Sequence, residues 1–145
     1  HELARLSPIL QTADQIIGYN IKDFDFEVLR PYLNFDIRKS PYLDLLEEIE
    51  KVLTHRIKLE DVAQATLGAG KSGSGKEAIL YFRQGRWDDL EKYCLDDVKI
   101  TKQIYDYALK NHKLLYRDFF KVKELPIKIA EPTPRVGVLH QSALF

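Results

Sequence analysis

The stretch WDDLEKYCLDDVKITKQIYDYALKN, residues 87–111, constrains this chain more than any other. It reads as one long amphipathic helix closed by Asn111. Projected at about 100° per residue, Leu90, Thr101, Ile104 and Ala108 fall within about 60° of one another, flanked by Cys94, Ile100 and Tyr105. Asp97 lies inside that stripe, with Tyr93 one turn before it, while Asp88, Asp96 and Asp106 point away. An aspartate on a helix ordinarily belongs to a solvated face. One inside an apolar stripe does not, because burying an unpaired carboxylate is costly. It requires a cation, a hydrogen-bond network or a metal ion.

The rest of the chain arranges itself around this helix. ELARLSPILQ (2–11) reads as a short amphipathic helix interrupted by Pro8. ADQIIGYN (13–20) reads as a short strand ending in a turn, and KDFDFEVLRPYL (22–33) as a helix that weakens at Pro31. Tyr42–Leu45 offers a second strand, running into a helix that reaches Leu53. KLEDVAQATLG (58–68) is a helix closed by Gly68. A basic Gly/Ser-rich loop (68–76), a helix over 77–85 and strands near Leu114–Tyr116 and Ile127–Ile129 complete the pattern. The order predicts an α/β domain over residues 1–130, with a tail over 131–145 that reads as a loop or extension.

Asp25 is a second acid in an unexpected place. It opens the helix after the Gly-Tyr-Asn turn, and Val28, Leu29 and Tyr32 share its face, so its carboxylate is expected to point inward. A local explanation competes, since an acid in the first turn is favoured by the helix dipole and free N–H groups. Two inward aspartates in an α/β domain together suggest a divalent-cation site. His1, His55, His112 and His140 are scattered and form no competing cluster.

Composition narrows the classes. With 145 residues and 45% hydrophobic content, the chain has material for one real core and is not disordered. Lys+Arg and Asp+Glu both number 22, so no global field attracts or repels nucleic acid. A single cysteine excludes an intramolecular disulfide framework and a multi-cysteine zinc site, and suits a reducing, cytoplasmic setting. No apolar run is long enough to span a membrane. The absence of methionine suggests that translation did not begin at His1.

At this point the residues resemble a known family. IIGYNIKDFD (16–25) looks like the second motif of the DEDD 3′–5′ exonucleases of the ribonuclease H-like superfamily, with Asn20, Phe24 and Asp25 at the motif positions. YCLDD (93–97) resembles their third motif in its tyrosine form, carried by Tyr93 and Asp97. The pattern between the motifs is similar to a bacterial and archaeal subgroup often associated with helicases. The resemblance covers roughly residues 12–110.

It implies a ribonuclease H-like exonuclease fold and a hydrolase acting on DNA or RNA from the 3′ end, with single-stranded or 3′-ended nucleic acid and a helicase or repair protein as the implied partners. In that family four carboxylates hold two Mg²⁺ or Mn²⁺ ions. Here Asp97 would bind the metal that activates water, and Asp25 would serve the second, partly through water. Tyr93 would orient the attacking water, and Asn20 would support its turn or contact substrate. The first motif, Asp-x-Glu, does not occur before Asn20. Asp25-Phe26-Glu27 overlaps the second motif, and Phe35-Asp36-Ile37-Arg38 carries Arg38 where glutamate is required. The expectation is therefore a domain short of its first strands and inactive as it stands. The alternative is a catalytically silent nucleic-acid-binding or scaffolding module.

GKSGSGKE (70–77) opens like a phosphate-binding loop, but Glu77 stands where a Ser or Thr should hold Mg²⁺, and a helix precedes it where a strand is needed. Lys71, Lys76, Arg83 and Arg86 are instead expected to meet substrate phosphates, the alternative being a solvated loop. Near the end, Lys110, Lys113, Arg117, Lys121 and Lys123 alternate with Tyr105, Tyr107, Tyr116, Phe119 and Phe120. These aromatics are expected mostly in the core, with base stacking as the other use.

Overall fold

The computed structural model of the protein describes residues 2–68 and 75–135. They form two units. One runs through Asp44 and takes in the segment beginning at Glu131, and the other is Leu45–Ala130. Both mix helix with short strands, in keeping with the α/β class expected.

In the first unit, α1 (Glu2–Thr12) continues through Pro8. β1 (Ile16–Gly18) pairs in parallel with β2 (Tyr42–Asp44), placing Ile16 opposite Tyr42 and Gly18 opposite Asp44. The crossover between them is helical but irregular: a π turn over Ile21–Asp25, α2 (Phe26–Leu29), and a 3₁₀ turn over Arg30–Tyr32 that ends after Pro31. Ile21, Phe26 and Ile37 are buried together, with Leu10, Ile16, Leu29 and Tyr42 packed around them. Phe26 meets Tyr42 edge to face, with ring centroids 5.5 Å apart. The segment after Glu131 is tied back here: Arg135 donates its backbone N–H to Asp14 and a guanidinium N–H to the Gln11 carbonyl.

The π turn corrects the expected helical face. A π turn takes more residues per turn than an α-helix, so each side chain beyond it is rotated relative to an α-helical projection. Phe26 becomes the buried residue, while Asp25, Val28 and Tyr32 are exposed. The inward apolar face expected to hold Asp25 is therefore not formed by those neighbours.

The second unit contains α3 (Leu45–Leu53), α4 (Leu59–Leu67), α5 (Gly75–Arg83), α6 (Trp87–Asn111), β3 (Lys113–Asp118) and β4 (Lys121–Pro126). Gly68 closes α4 in the left-handed conformation. Thr66 Oγ1 both donates to the Leu115 carbonyl and accepts from the Leu115 N–H, each at 3.0 Å, fixing α4 to β3. The core gathers Ile49, Val62, Ala63, Ile104, Ala108 and Leu114.

α6 has the expected span, but its left-handed cap is His112 (φ 54°), one residue after Asn111. Asn111 instead donates its side-chain amide to the Tyr107 carbonyl. β3 and β4 form an antiparallel hairpin with Leu114 opposite Leu125 and Asp118 opposite Lys121. The second strand thus precedes the expected Ile127–Ile129, which lies outside it. Ile127 and Ile129 are nonetheless buried, and Ile127 donates its N–H to the His112 carbonyl. No helix among the described residues is long and apolar enough to cross a membrane.

Candidate functional site

The turn between β1 and the π turn is built by three residues. Asn20 takes the left-handed conformation at φ 62°, ψ 28°, which asparagine tolerates better than most side chains. Gly18 is required two residues earlier, because a Cβ there would collide with Ile21 Cγ2. Asp44, at the end of the paired strand, is only 3% exposed. Its two carboxylate oxygens accept the backbone N–H of Asn20 at 2.7 Å and of Lys22 at 3.1 Å. A buried carboxylate is tolerable when such N–H groups are aimed at it.

Asp25 ends the π turn held by this arrangement. Its side chain keeps contact with solvent, yet the surrounding protein strips part of its hydration, and this desolvation raises its pKa above the ordinary carboxylate value. A backbone hydrogen bond opposes the rise, and the Asp44 charge adds to it. Asp36, the acid of the imitation first motif, behaves in the opposite way. Arg38 donates to both of its oxygens at 2.9 and 3.2 Å and holds its pKa below the usual range.

In the second unit, Tyr93 and Asp97 lie four residues apart on one face of α6, where Cβ atoms are about 5–6 Å apart. Tyr93 is buried and Asp97 is half-buried, with its Oδ1 shielded from solvent. Thr101, one turn on, donates its hydroxyl to the Asp97 carbonyl at 2.8 Å. The side of α6 that carries the burial, Tyr93, Ile100, Ile104, Tyr105 and Ala108, follows most of the stripe read from the sequence, while Cys94, expected on its flank, is exposed.

Of the residues expected to meet phosphate, Lys71 lies outside the described residues. Lys76 and Arg83 are exposed on α5. Arg86 is engaged elsewhere: its Nε donates to Asp89 at 2.7 Å, and its guanidinium sits 4.6 Å from the Tyr81 ring centroid. Gly70 of the phosphate-loop imitation is also outside the described residues, while Gly75 and Lys76 open α5.

The carboxylates of Asp25 and Asp97 are hard oxygen donors of the kind Mg²⁺ and Mn²⁺ take. Among the described residues, however, no group of three or more His, Cys, Asp or Glu side chains is gathered to hold a metal ion. These residues alone do not make a two-metal cage. Asp44 is the site residue that sequence reasoning missed. The available signal was an acid ending the strand that pairs with Ile-Ile-Gly, opposite the turn after Gly18.

The mix of helices and short strands fits a coarse α/β class. The model of RNase_H_2, described as RNase_H superfamily, matches residues 2–109. The chain belongs to the ribonuclease H superfamily. Comparison with curated proteins and with solved structures returned no match.

Proposed function

We propose that this chain is the part of a metal-dependent 3′–5′ exonuclease of the tyrosine DEDD type that carries its second and third motifs. The observation that carries this reading is the placement of a buried Tyr93 and a half-buried Asp97 one turn apart on α6, within residues matched to the superfamily. The carboxylates of Asp25 and Asp97 would contribute to holding divalent ions, which supply a polarised water and charge stabilisation at the leaving 3′ oxygen. Tyr93 would orient that water through its hydroxyl. Asn20 would set the turn carrying Asp25, and Lys76 and Arg83, with Lys71 and Arg86, would meet phosphates of a single-stranded or 3′-ended strand.

In this reading the remaining two carboxylates would be an Asp-x-Glu pair, which does not occur before Asn20. By themselves, these residues are expected to turn over little or no substrate. The association with a helicase or repair partner and a cytoplasmic setting belong to the same reading.

The test is degradation of 5′-labelled DNA and RNA strands with Mg²⁺ or Mn²⁺ by the product of the intact reading frame and by its Asp25→Ala and Asp97→Ala variants. Loss of degradation in both variants supports the reading. Degradation unaffected by either substitution overturns the assignment of these aspartates.

One observation favours a silent binding or scaffolding module. The sequence closest to a first motif, Phe35–Arg38, has its aspartate neutralised by its own arginine. Strand binding with no hydrolysis by the intact product under either metal would select that reading.

A further inference from the structure

Phe119 and Phe120 form the two-residue turn of the β3–β4 hairpin and are 89% and 98% exposed. The placement is unfavourable twice over. Two adjacent aromatic rings stand in water, against the largest apolar driving force a side chain carries. Phe119 also takes φ 52°, a conformation that costs a side-chain-bearing residue and that hairpin turns normally give to glycine, asparagine or aspartate. Neither ring packs into the core, so these two are the exceptions to the expected core use of the aromatics in this stretch. Tyr105 is buried, and Tyr107 and Tyr116 are half-buried.

The charges next to the tip are of one available sign. Lys123 pairs with Asp118, and Lys113 with Glu124. Arg117 and Lys121 are exposed and make no ion pair with another described residue. Arg117 stands opposite Val122, whereas Lys121 stands opposite Asp118, so alternation places one free cation on each face of the hairpin, just below the rings. The hairpin follows directly on the residues matched to the ribonuclease H superfamily, which end at 109.

We propose that the hairpin tip is a single-strand nucleic-acid contact in which Phe119 and Phe120 stack on unpaired bases while Arg117 and Lys121 meet the adjacent phosphates. Aromatic faces accept any base, and flanking cations follow the backbone, so the contact is tolerant of sequence. This extends the exonuclease reading by giving the chain a way to hold its strand, and it concerns binding alone.

The experiment measures anisotropy of 5′-fluorescein dT20 and rU20 with the full chain in EDTA, where hydrolysis plays no part. Replacing both rings, Phe119→Ala with Phe120→Ala, is expected to weaken binding about thirtyfold or more, the low end of losing two stacked bases. An abasic strand of the same length is expected to bind the variant and the unsubstituted chain equally. Arg117→Ala with Lys121→Ala is expected to reduce the slope of log affinity against log salt by about 1.4. A Phe120→Trp probe in a Trp87→Phe background is expected to be quenched by dT20 and not by the abasic strand.

Equal affinity of the ring variant for dT20, or an equal loss on the abasic strand, overturns the proposal. So does loss of binding to phosphatidylserine vesicles with strand binding unchanged, which would assign the tip to a membrane surface. Failure of the hydrolysis assay leaves these readouts untouched, so the two readings fall separately.

Discussion

Asp44 accepts the backbone N–H of Asn20 at 2.7 Å across the parallel strand pair. Through this bond and its companion to Lys22, an acid 24 residues away in sequence fixes the turn that leads to Asp25. Asp44→Ala removes a charged acceptor from two N–H groups, leaving both to find other partners. The expected loss is about 2–4 kcal/mol in urea unfolding. Asp44→Asn keeps one acceptor oxygen and is expected to lose about half as much. Equal stability of Asp44→Ala and the unsubstituted chain would show that the turn does not depend on this carboxylate.

The same turn limits Gly18. Gly18→Ala drives a methyl into Ile21 Cγ2, and an overpacked position of this kind typically loses about 1–3 kcal/mol. Ile21→Ala removes that methyl but also empties buried volume. Together the two substitutions are expected to cost less than the sum of the separate losses, because the collision disappears. Strict additivity in a double-mutant cycle would contradict the contact.

Asp25 and Asp36 are expected to drive stability in opposite directions with pH. The folded-state pKa of Asp25 is raised above the ordinary value of 3.8, chiefly by desolvation. From that value up to the raised one, the folded chain binds more protons than the unfolded chain. Its stabilising contribution is therefore complete below the ordinary value and lost as pH rises through the folded pKa. Asp36 is lowered, chiefly by the Arg38 hydrogen bond. Its contribution is present above the ordinary value and lost as pH falls through the lowered one. Carboxyl NMR titration of the metal-free chain checks both directions. Arg38→Ala is expected to return Asp36 to the ordinary range, and Asp25→Asn to stabilise the chain at neutral pH but not below the window.

Much of this architecture was legible because local signals agreed with the fold. Gly68 ends α4 as a left-handed glycine should, and the periodicity of 87–111 gives both the span of α6 and the shielded position of Asp97. The errors arose where geometry departed from an ideal repeat. An α-helical projection of residues 22–33 cannot anticipate the π turn, so it assigns Asp25 to an apolar face that forms around Phe26 instead. Asp44 was hidden for another reason. Its role comes from strand pairing across the crossover, and no local pattern in Tyr42–Leu45 distinguishes a buried acceptor from a surface acid. The hairpin was misplaced because Asp118-Phe119-Phe120-Lys121 has no glycine, asparagine or proline at its centre to mark a turn.

That unmarked turn has an energetic consequence. Phe119 is at φ 52° in a two-residue hairpin, where its Cβ crowds the backbone and its ring gains no burial. Glycine at the first turn position meets the conformational demand without the clash. Phe119→Gly is therefore expected to stabilise the chain by about 1 kcal/mol in urea unfolding. The gain is limited to that range because glycine also adds freedom to the unfolded chain. Reducing agent and metal should not alter it, since the turn contains no cysteine and neither Asp25 nor Asp97. Loss of stability in Phe119→Gly would mean that the ring makes contacts its exposure does not register, and the turn would then be held by packing despite its strain.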